Sequence, residues 1–420
     1  MTPSLGRAGF FLRVTLPLAI GYLISYGLRT INAAIAPTLT REFNLDAADL
    51  GLLTAAYFLA FGLTQLPLGG LLDRFRPRRV EAALLVSCAA GCVAFATAES
   101  GWLLIVGRAL IGVGVAACLM AALRTFGLWL APSRMPMANG LMLAVGNAGA
   151  ILSTAPVLWL LGMITWRQLF LSVAVLTAVV AFWLAFLVPD PNDHRDAAAS
   201  EPRLVTGWST VLRSRLFWTI VPLPCLTSAI GLAVQGLWAG PWLVDVAGFA
   251  PDAIGGALLW ISAGMLLANV VLGNVMGWLM QRGVAPALFC FLASMFALLG
   301  QLPLLLSWQS APIFAMALFG LTHVAGNQSF AALPICFPKA VHGRVTTMIN
   351  FVMFAIGFAL QWGIGVIVNR FPSSTAVGHY DATGYELAFF ALLVMQVLCI
   401  GWTLWGLRRR DLRAQLQGVA

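Results

Sequence analysis

The feature that most constrains this chain recurs twelve times: an apolar run of roughly twenty residues or more, ended by a short connector. The runs fall at about 12–36, 48–72, 80–98, 102–128, 138–160, 167–188, 216–241, 253–279, 284–306, 311–337, 345–369 and 385–407. A bilayer interior offers no water to unpaired N–H and C=O groups, so runs of this length must bond internally as helices. The period-two alternation of a barrel wall is absent. With 60% hydrophobic and 9% charged residues and a mean hydropathy of +0.91, the chain lies far from any soluble globular class. The expected fold is an all-α membrane protein of twelve transmembrane helices.

The connectors carry the orientation. Positive residues collect in the even-numbered connectors and at both termini: Arg7 and Arg13, Arg74 to Arg79, Arg134, Arg213 and Arg215, Arg282, Lys339 and Arg344, and Arg408 to Arg413. The opposite side holds Arg41, Arg167 and Arg370. This bias predicts cytoplasmic termini in a multi-pass protein of a bacterial plasma (inner) membrane. The first apolar run is long enough to span, and reads as an anchor in place of a cleaved signal. The net charge of +9 then reports topology and contact with anionic membrane lipids, since no soluble basic domain is present to bind nucleic acid. All seven cysteines sit in apolar runs without metal-ligand spacing, so they read as core fillers, and neither metal nor cofactor is expected.

One long polar stretch, 189–215, divides the runs six and six. It predicts an N-terminal bundle over 1–189, a cytoplasmic linker over 190–215 and a C-terminal bundle over 216–420. The halves echo each other: Gly69-x-x-x-Asp73 returns as Gly273-x-x-x-Gly277 at an offset near half the chain. Pseudo-symmetric halves related by an axis along the membrane normal are a transporter plan.

The connector after the second run concentrates five charges in seven residues, Asp73 to Arg79. Its pattern Gly69-x-x-x-Asp73-Arg74-x-x-x-Arg78-Arg79 resembles the loop between helices 2 and 3 of the major facilitator superfamily, with Arg76 where that family usually has Gly. In helix 4, Arg108-x-x-x-Gly112-x-Gly114-x-Ala116-Ala117 is similar to the family's second signature. In helix 5, Gly146-Asn147-Ala148-Gly149 with Pro156 matches the antiporter signature in part. Tyr26-x-x-Arg29-x-x-Asn32 looks like the first helix of the anion–cation symporter branch, with the Arg–Asn gap one residue longer. The resemblance implies two rocking six-helix bundles and a cytoplasmic gate in which Asp73 pairs with Arg74, Arg78 or Arg79 and meets the start of helix 11. Gly69 would let the bundles approach, and Arg124 near the end of helix 4 would be a further partner of Asp73.

Intramembrane charge points to the cargo. Acidic residues stand only at span ends or in connectors, Glu81 among them, whereas Arg29 and Arg108 lie inside spans. Counting about 1.5 Å per residue puts both toward the outer half of their helices. A buried ion costs several kcal/mol unless paired or hydrated, and arginines without a carboxylate at their depth invite an anion; for Arg108, bonding to backbone carbonyls is an equal alternative. Tyr22, Tyr26 and Arg29 share one face of helix 1. Gln235 and Trp238 in helix 7, and His323 and Asn327 in helix 10, add polarity near the midplane. His323 is the one central candidate for proton coupling. The chain therefore reads as a secondary transporter, monomeric, moving a small organic anion by proton symport. A proton-antiport exporter of drugs or metabolites is the alternative. No Gly-x-x-x-x-Gly-Lys-Ser/Thr sequence is present for nucleotide-driven pumping. An intramembrane enzyme would need a nucleophile and base clustered in the spans, which the four histidines do not supply.

Overall fold

The computed structural model describes residues 7–130, 134–189, 211–250, 253–338, 341–373 and 379–408. The linker over 190–210, Lys339 and the tail with Arg409, Arg410 and Arg413 lie outside the described residues, as do the side chains of Arg7 and Asp73.

Helix 1 runs Phe11–Thr30 and resumes as Asn32–Phe43. Helix 2 is Ala47–Arg74, helix 3 Pro77–Ala96, and helix 4 Gly101–Trp129. Helix 5 is Met135–Leu152, continued by Ala155–Leu161; helix 6 is Trp166–Leu187. The second half has helix 7 over Pro222–Asp245, helix 8 over Ile254–Gln281, helix 9 over Pro286–Leu305, helix 11 over His342–Val368 and helix 12 over Ala382–Leu407. A short helix, Arg215–Ile220, precedes helix 7, and Val211 is already buried, so ordered structure begins a few residues ahead of the expected bundle boundary. Local chemistry sets the ends. Asp46 and Asp49 form a reciprocal capping box at the start of helix 2, Thr165 and Gln168 do so for helix 6, and prolines open helices 3 and 9.

Among the described residues, eleven helices are long and apolar enough to cross a bilayer. The tenth run is different. Expected as one helix over 311–337, it is α-helical over Pro312–His323, tightens to 3₁₀ over Val324–Gln328, and finishes as Ser329–Ala332 and Leu333–Cys336. Gly326 presses onto the Pro224 carbonyl and Ser228 of helix 7, and Pro334 has no N–H to give, so a continuous ladder is interrupted where His323 and Asn327 sit.

Other breaks are repaired by side chains from neighbouring helices. Helix 4 turns at Ala116 and Ala117. Gln65 Nε2 donates to the freed Ala116 carbonyl at 3.0 Å, and Ser25 Oγ reaches the Val115 carbonyl at 3.5 Å. Helix 5 breaks ahead of Pro156, where the Ser153 and Thr30 hydroxyls lie 2.5 Å apart. In lipid these partners replace absent water.

Within each half the helices pack in closed sets, helices 1 to 6 on one side and 7 to 12 on the other, and the halves meet through helices 2 and 11, 5 and 8, and 1 and 7. Away from the basic connector of helices 2 and 3, backbones touch at glycines: a Cβ on Gly51 would lie 2.8 Å from the Gln361 carbonyl, and one on Gly240 2.7 Å from the Ala33 carbonyl. Helix 2 also meets helix 11 at Gly62, beside Phe354. Two turns further along helix 2, Gly69 has nothing within 4 Å, so the close approach expected at that glycine is not made in this conformation.

Replacing Gln65 with Ala leaves the Ala116 carbonyl unpaired in an apolar interior. Stability should fall by about 1–3 kcal/mol, read as a lower unfolding midpoint of the purified protein in detergent. An unchanged midpoint would remove this bond from the account.

Candidate functional site

Arg29 ends the first segment of helix 1, just before the interruption at Ile31. Its side chain is only 7% exposed and is caged by aromatic faces: its guanidinium carbon stands 4.5 Å from the Tyr26 ring centre, 5.2 Å from Phe61 and 5.2 Å from Phe354. Phe61 and Phe354 lie 4.2 Å apart, at the inner edge of the seal between helices 2 and 11. Tyr22 and Tyr26 meet edge-on at 5.2 Å, and the missing side chain of Gly146 on helix 5 makes room for both. Among the described residues no carboxylate lies within ion-pair reach of Arg29, and its Nε has no partner. Each ring contributes about 0.5–2 kcal/mol against a burial cost of at least about 3 kcal/mol. The cage makes burial tolerable and leaves the positive charge available to a stronger partner.

Arg108 is fully buried. Its Nη1 donates to the Leu28 carbonyl at 2.9 Å, and its guanidinium lies 5.1 Å from the Tyr57 ring. Tyr57 thus stands beside both arginines. That bond ties helix 4 to the turn of helix 1 that presents Arg29, and it leaves Arg108 Nε and Nη2 without a partner.

In the second half, Gln235 lies on a π turn of helix 7 and donates to Ser262 of helix 8 at 3.3 Å. The next residue, Gly236, faces the Arg29 carbonyl and Phe58, which brings this turn to the Arg29 cage. Trp238 donates to the Gln361 carbonyl at 3.0 Å and belongs to the seal. Asn327 accepts from Ser228 at 3.0 Å. His323 is buried, stacked on Phe319 at 3.8 Å, with Nδ1 3.1 Å from the Phe319 carbonyl and Nε2 unpartnered. It packs against Gly231 of helix 7, apart from the arginine cage.

The sealed end carries a polar latch between the halves. The Ala47 N–H donates to the Tyr380 hydroxyl at 2.7 Å, and Asn369 donates to Asp46 at 2.9 Å. Behind them Asp245 accepts from Tyr385 at 2.6 Å and pairs with His379 at 2.7 Å. Burial first, and then the nearby Asp46 and Asp245 carboxylates, push the Tyr380 phenol above its ordinary value, so it stays protonated at neutral pH. A recess open to solvent lies here, lined by Arg41, Asp46, Trp238, Asp245 and His379 among others.

At the basic end the arginines expected at the gate have several kinds of partner. Arg78 donates to the Leu184 and Ala185 carbonyls at 3.2 and 2.6 Å, closing the end of helix 6. Arg74 lies over Phe75, and Arg79 is exposed. The pairing expected of Asp73, with Arg124 or any other arginine, falls on a side chain outside the described residues.

The sequence profile of the Major Facilitator Superfamily matches residues 18–361. The chain belongs to this superfamily. It is 28% identical over 287 residues to the hexuronate transporter of Escherichia coli K12, a match covering 64% of each chain. It is 24% identical to the galacturonate transporter of Dickeya chrysanthemi, over 63% of this chain and 81% of that one. With the probable sulfoacetate transporter SauU of Cupriavidus necator it shares 25% identity, over 88% of this chain and 83% of that one. Some matches are partial: the chain spans 46% of the uncharacterized transporter YybO of Bacillus subtilis and 64% of the hexuronate transporter. Among solved structures, a bacterial homolog of the human lysosomal transporter Spinster, described as inward-facing and unoccupied, superposes with a TM-score of 0.76 at 15% identity, over 96% of this chain and 98% of that one. A D-xylose–proton symporter gives 0.70 at 14%, over 94% and 97%. Both show the shared fold.

Several residues of this facilitator escape a reading of the sequence. Glu81, expected at a span end, is completely buried. It enters helix 3 only one turn after Pro77, but Gly21 lets helix 1 close over it, and neither carboxyl oxygen has a hydrogen-bond partner. Tyr57, Phe61 and Phe354 were also missed, because an aromatic residue in an apolar run reads as core. The i, i+4 spacing of Tyr57 and Phe61 opposite Arg29 was the available signal.

The latch generates a prediction about access. Combining Asp46→Ala with Tyr380→Phe removes the Asn369 bond to Asp46 and the Tyr380 hydroxyl, and should populate the state open at the latch end. Labelling of a Val244→Cys reporter in the recess by an impermeant maleimide should accelerate several-fold. Unaltered labelling would show that the latch does not hold the seal.

Proposed function

We propose that this facilitator moves a small organic anion, of the sugar-acid or sulfonate kind, across the membrane by alternating access. The observation that carries the reading is the Arg29 guanidinium, buried among Tyr26, Phe61 and Phe354 with an unpartnered Nε and no carboxylate in reach. Arginine recognises carboxylate, sulfonate and phosphate through the same planar donor set, and an anion there would gain charge-assisted bonds in a low-dielectric site. The hexuronate, galacturonate and sulfoacetate named for the relatives are all anions. Tyr22 and Tyr26 would orient the solute, and Gln235, against the cage through Gly236, would read its hydroxyls. Trp238 and Asn327 complete the cavity wall from the other half.

In this reading the basic end is cytoplasmic by the positive-inside rule, the protein sits in a bacterial inner membrane as a monomer, and Gly69 and Asp73 come against helix 11 when the cytoplasmic side closes. Uptake is coupled to a proton, for which His323 is the acceptor: its Nδ1 is occupied by the Phe319 carbonyl and its Nε2 is unpartnered. Proton-antiport export of drugs is the weaker reading, since the unpaired cation in the cage would repel the cationic substrates of many such exporters.

Thermal unfolding of the purified protein with galacturonate, sulfoacetate, neutral galactose and choline tests the cargo. An anion should raise the midpoint and the neutral and cationic probes should not. Arg29→Gln should fold normally yet weaken the anion effect by about tenfold or more, the equivalent of one or two charge-assisted bonds. Stabilisation by galactose alone, or full retention in Arg29→Gln, would refute the assignment. In sealed vesicles, anion uptake should follow an imposed proton gradient and lose that dependence in His323→Gln. Gradient-independent uptake by the unaltered protein would refute the coupling.

A further inference from the structure

At the basic end, the corner between the start of helix 7 and the end of helix 12 holds a second recess, open to its surroundings. Arg213 and Arg215 line one wall; Trp218, Trp402 and Trp405 line the others. The walls are fixed by bonds. Trp402 Nε1 donates to the Trp218 carbonyl at 2.7 Å, Trp218 Nε1 to the Leu212 carbonyl at 2.7 Å, and Thr403 Oγ1 to the Thr219 carbonyl at 3.0 Å. Gly406 closes the back, its backbone against the Thr219 side chain.

The arginines are distinguished by what they lack. Elsewhere at this end Arg78 is occupied by helix 6 carbonyls, Arg282 stacks on Trp278 at 3.7 Å, and Arg76, Arg124 and Arg344 have partners of their own. Arg213 and Arg215 are exposed, and among the described residues no carboxylate lies within ion-pair reach of either. Two unneutralised guanidinium groups stand beside three indoles at the rim of the apolar belt. Below them helix 12 presents Leu398, Val397 and Val394 outward. This order, cation, indole, aliphatic face, matches phosphate, glycerol and acyl chain along a phospholipid.

We propose that this recess binds the headgroup phosphate of an anionic phospholipid, with Arg213 and Arg215 as its donors and the acyl chains laid on helix 12. The site is independent of the solute carried. A lipid held here braces the first turn of helix 7 against helix 12, on the half of the molecule that must rock as a unit.

Native mass spectrometry of the delipidated full-length protein, with added phosphatidylglycerol or phosphatidylcholine, tests it. The unaltered protein should retain phosphatidylglycerol adducts selectively, and Arg213→Gln with Arg215→Gln should cut their retention about tenfold. The paired Arg→Lys variant, which keeps the charge, should retain most of it and serves if the neutral variant does not fold. Arg282→Gln, at the same end, should change nothing. Equal retention of both lipids, or retention unaffected by Arg213→Gln with Arg215→Gln, overturns the proposal. Displacement of the lipid by millimolar inorganic phosphate would instead make this a site for the free anion, and would overturn it too.

Discussion

The structure depends on a positive charge kept inside an apolar protein without a negative one beside it. Arg29 could have been neutralised by a carboxylate on a facing helix, and a static scaffold would gain from that. Instead the chain surrounds it with the faces of Tyr26, Phe61 and Phe354 and leaves Nε unpartnered. Rings stabilise a cation through their quadrupoles but cannot neutralise it. The charge stays available, as the proposed transport requires: a solute must bind strongly enough to be selected and weakly enough to leave.

Placing that charge requires irregular helices. Helix 1 is interrupted just beyond Arg29, helix 4 turns at Ala116, helix 7 widens into a π turn at Gln235, and helix 10 tightens beside His323. Each break frees carbonyls that lipid cannot satisfy, and the repair comes from another helix, as Gln65 and Ser25 do for helix 4. Arg108 belongs to the same economy of bonds, since its contact with the Leu28 carbonyl fixes helix 1 where its charge-bearing residue projects. Around this middle layer helix 2 meets helix 11 beside the arginine cage, where Phe61 packs against Phe354.

Much of this was legible in the sequence. The apolar runs mark the eleven helices long enough to span, because length and hydropathy decide what a bilayer accepts, but not the break in the tenth run, and the loop and helix 4 motifs point to the family. Arg29 with Tyr22 and Tyr26 was found by helical phase. What escaped has a physical reason in each case. The break of helix 10 depends on a neighbouring backbone pressing on Gly326, a contact between residues about a hundred positions apart. Glu81 looked superficial because its depth is set by how closely Gly21 allows helix 1 to approach. The latch of Asp46, Ala47, Asn369 and Tyr380 joins residues more than three hundred positions apart, and no local pattern marks it. The open surroundings of Gly69 were likewise beyond reach, since a glycine in a motif does not say what packs on it.

The most direct test of the central claim is an experimental structure of the protein saturated with galacturonate or sulfoacetate. The account predicts ligand density with its acidic group against the Arg29 guanidinium, between Tyr26 and Phe354, reached from the basic end. Density for the ligand elsewhere, or an Arg29 side chain that turns to a protein carboxylate when ligand is present, would contradict it.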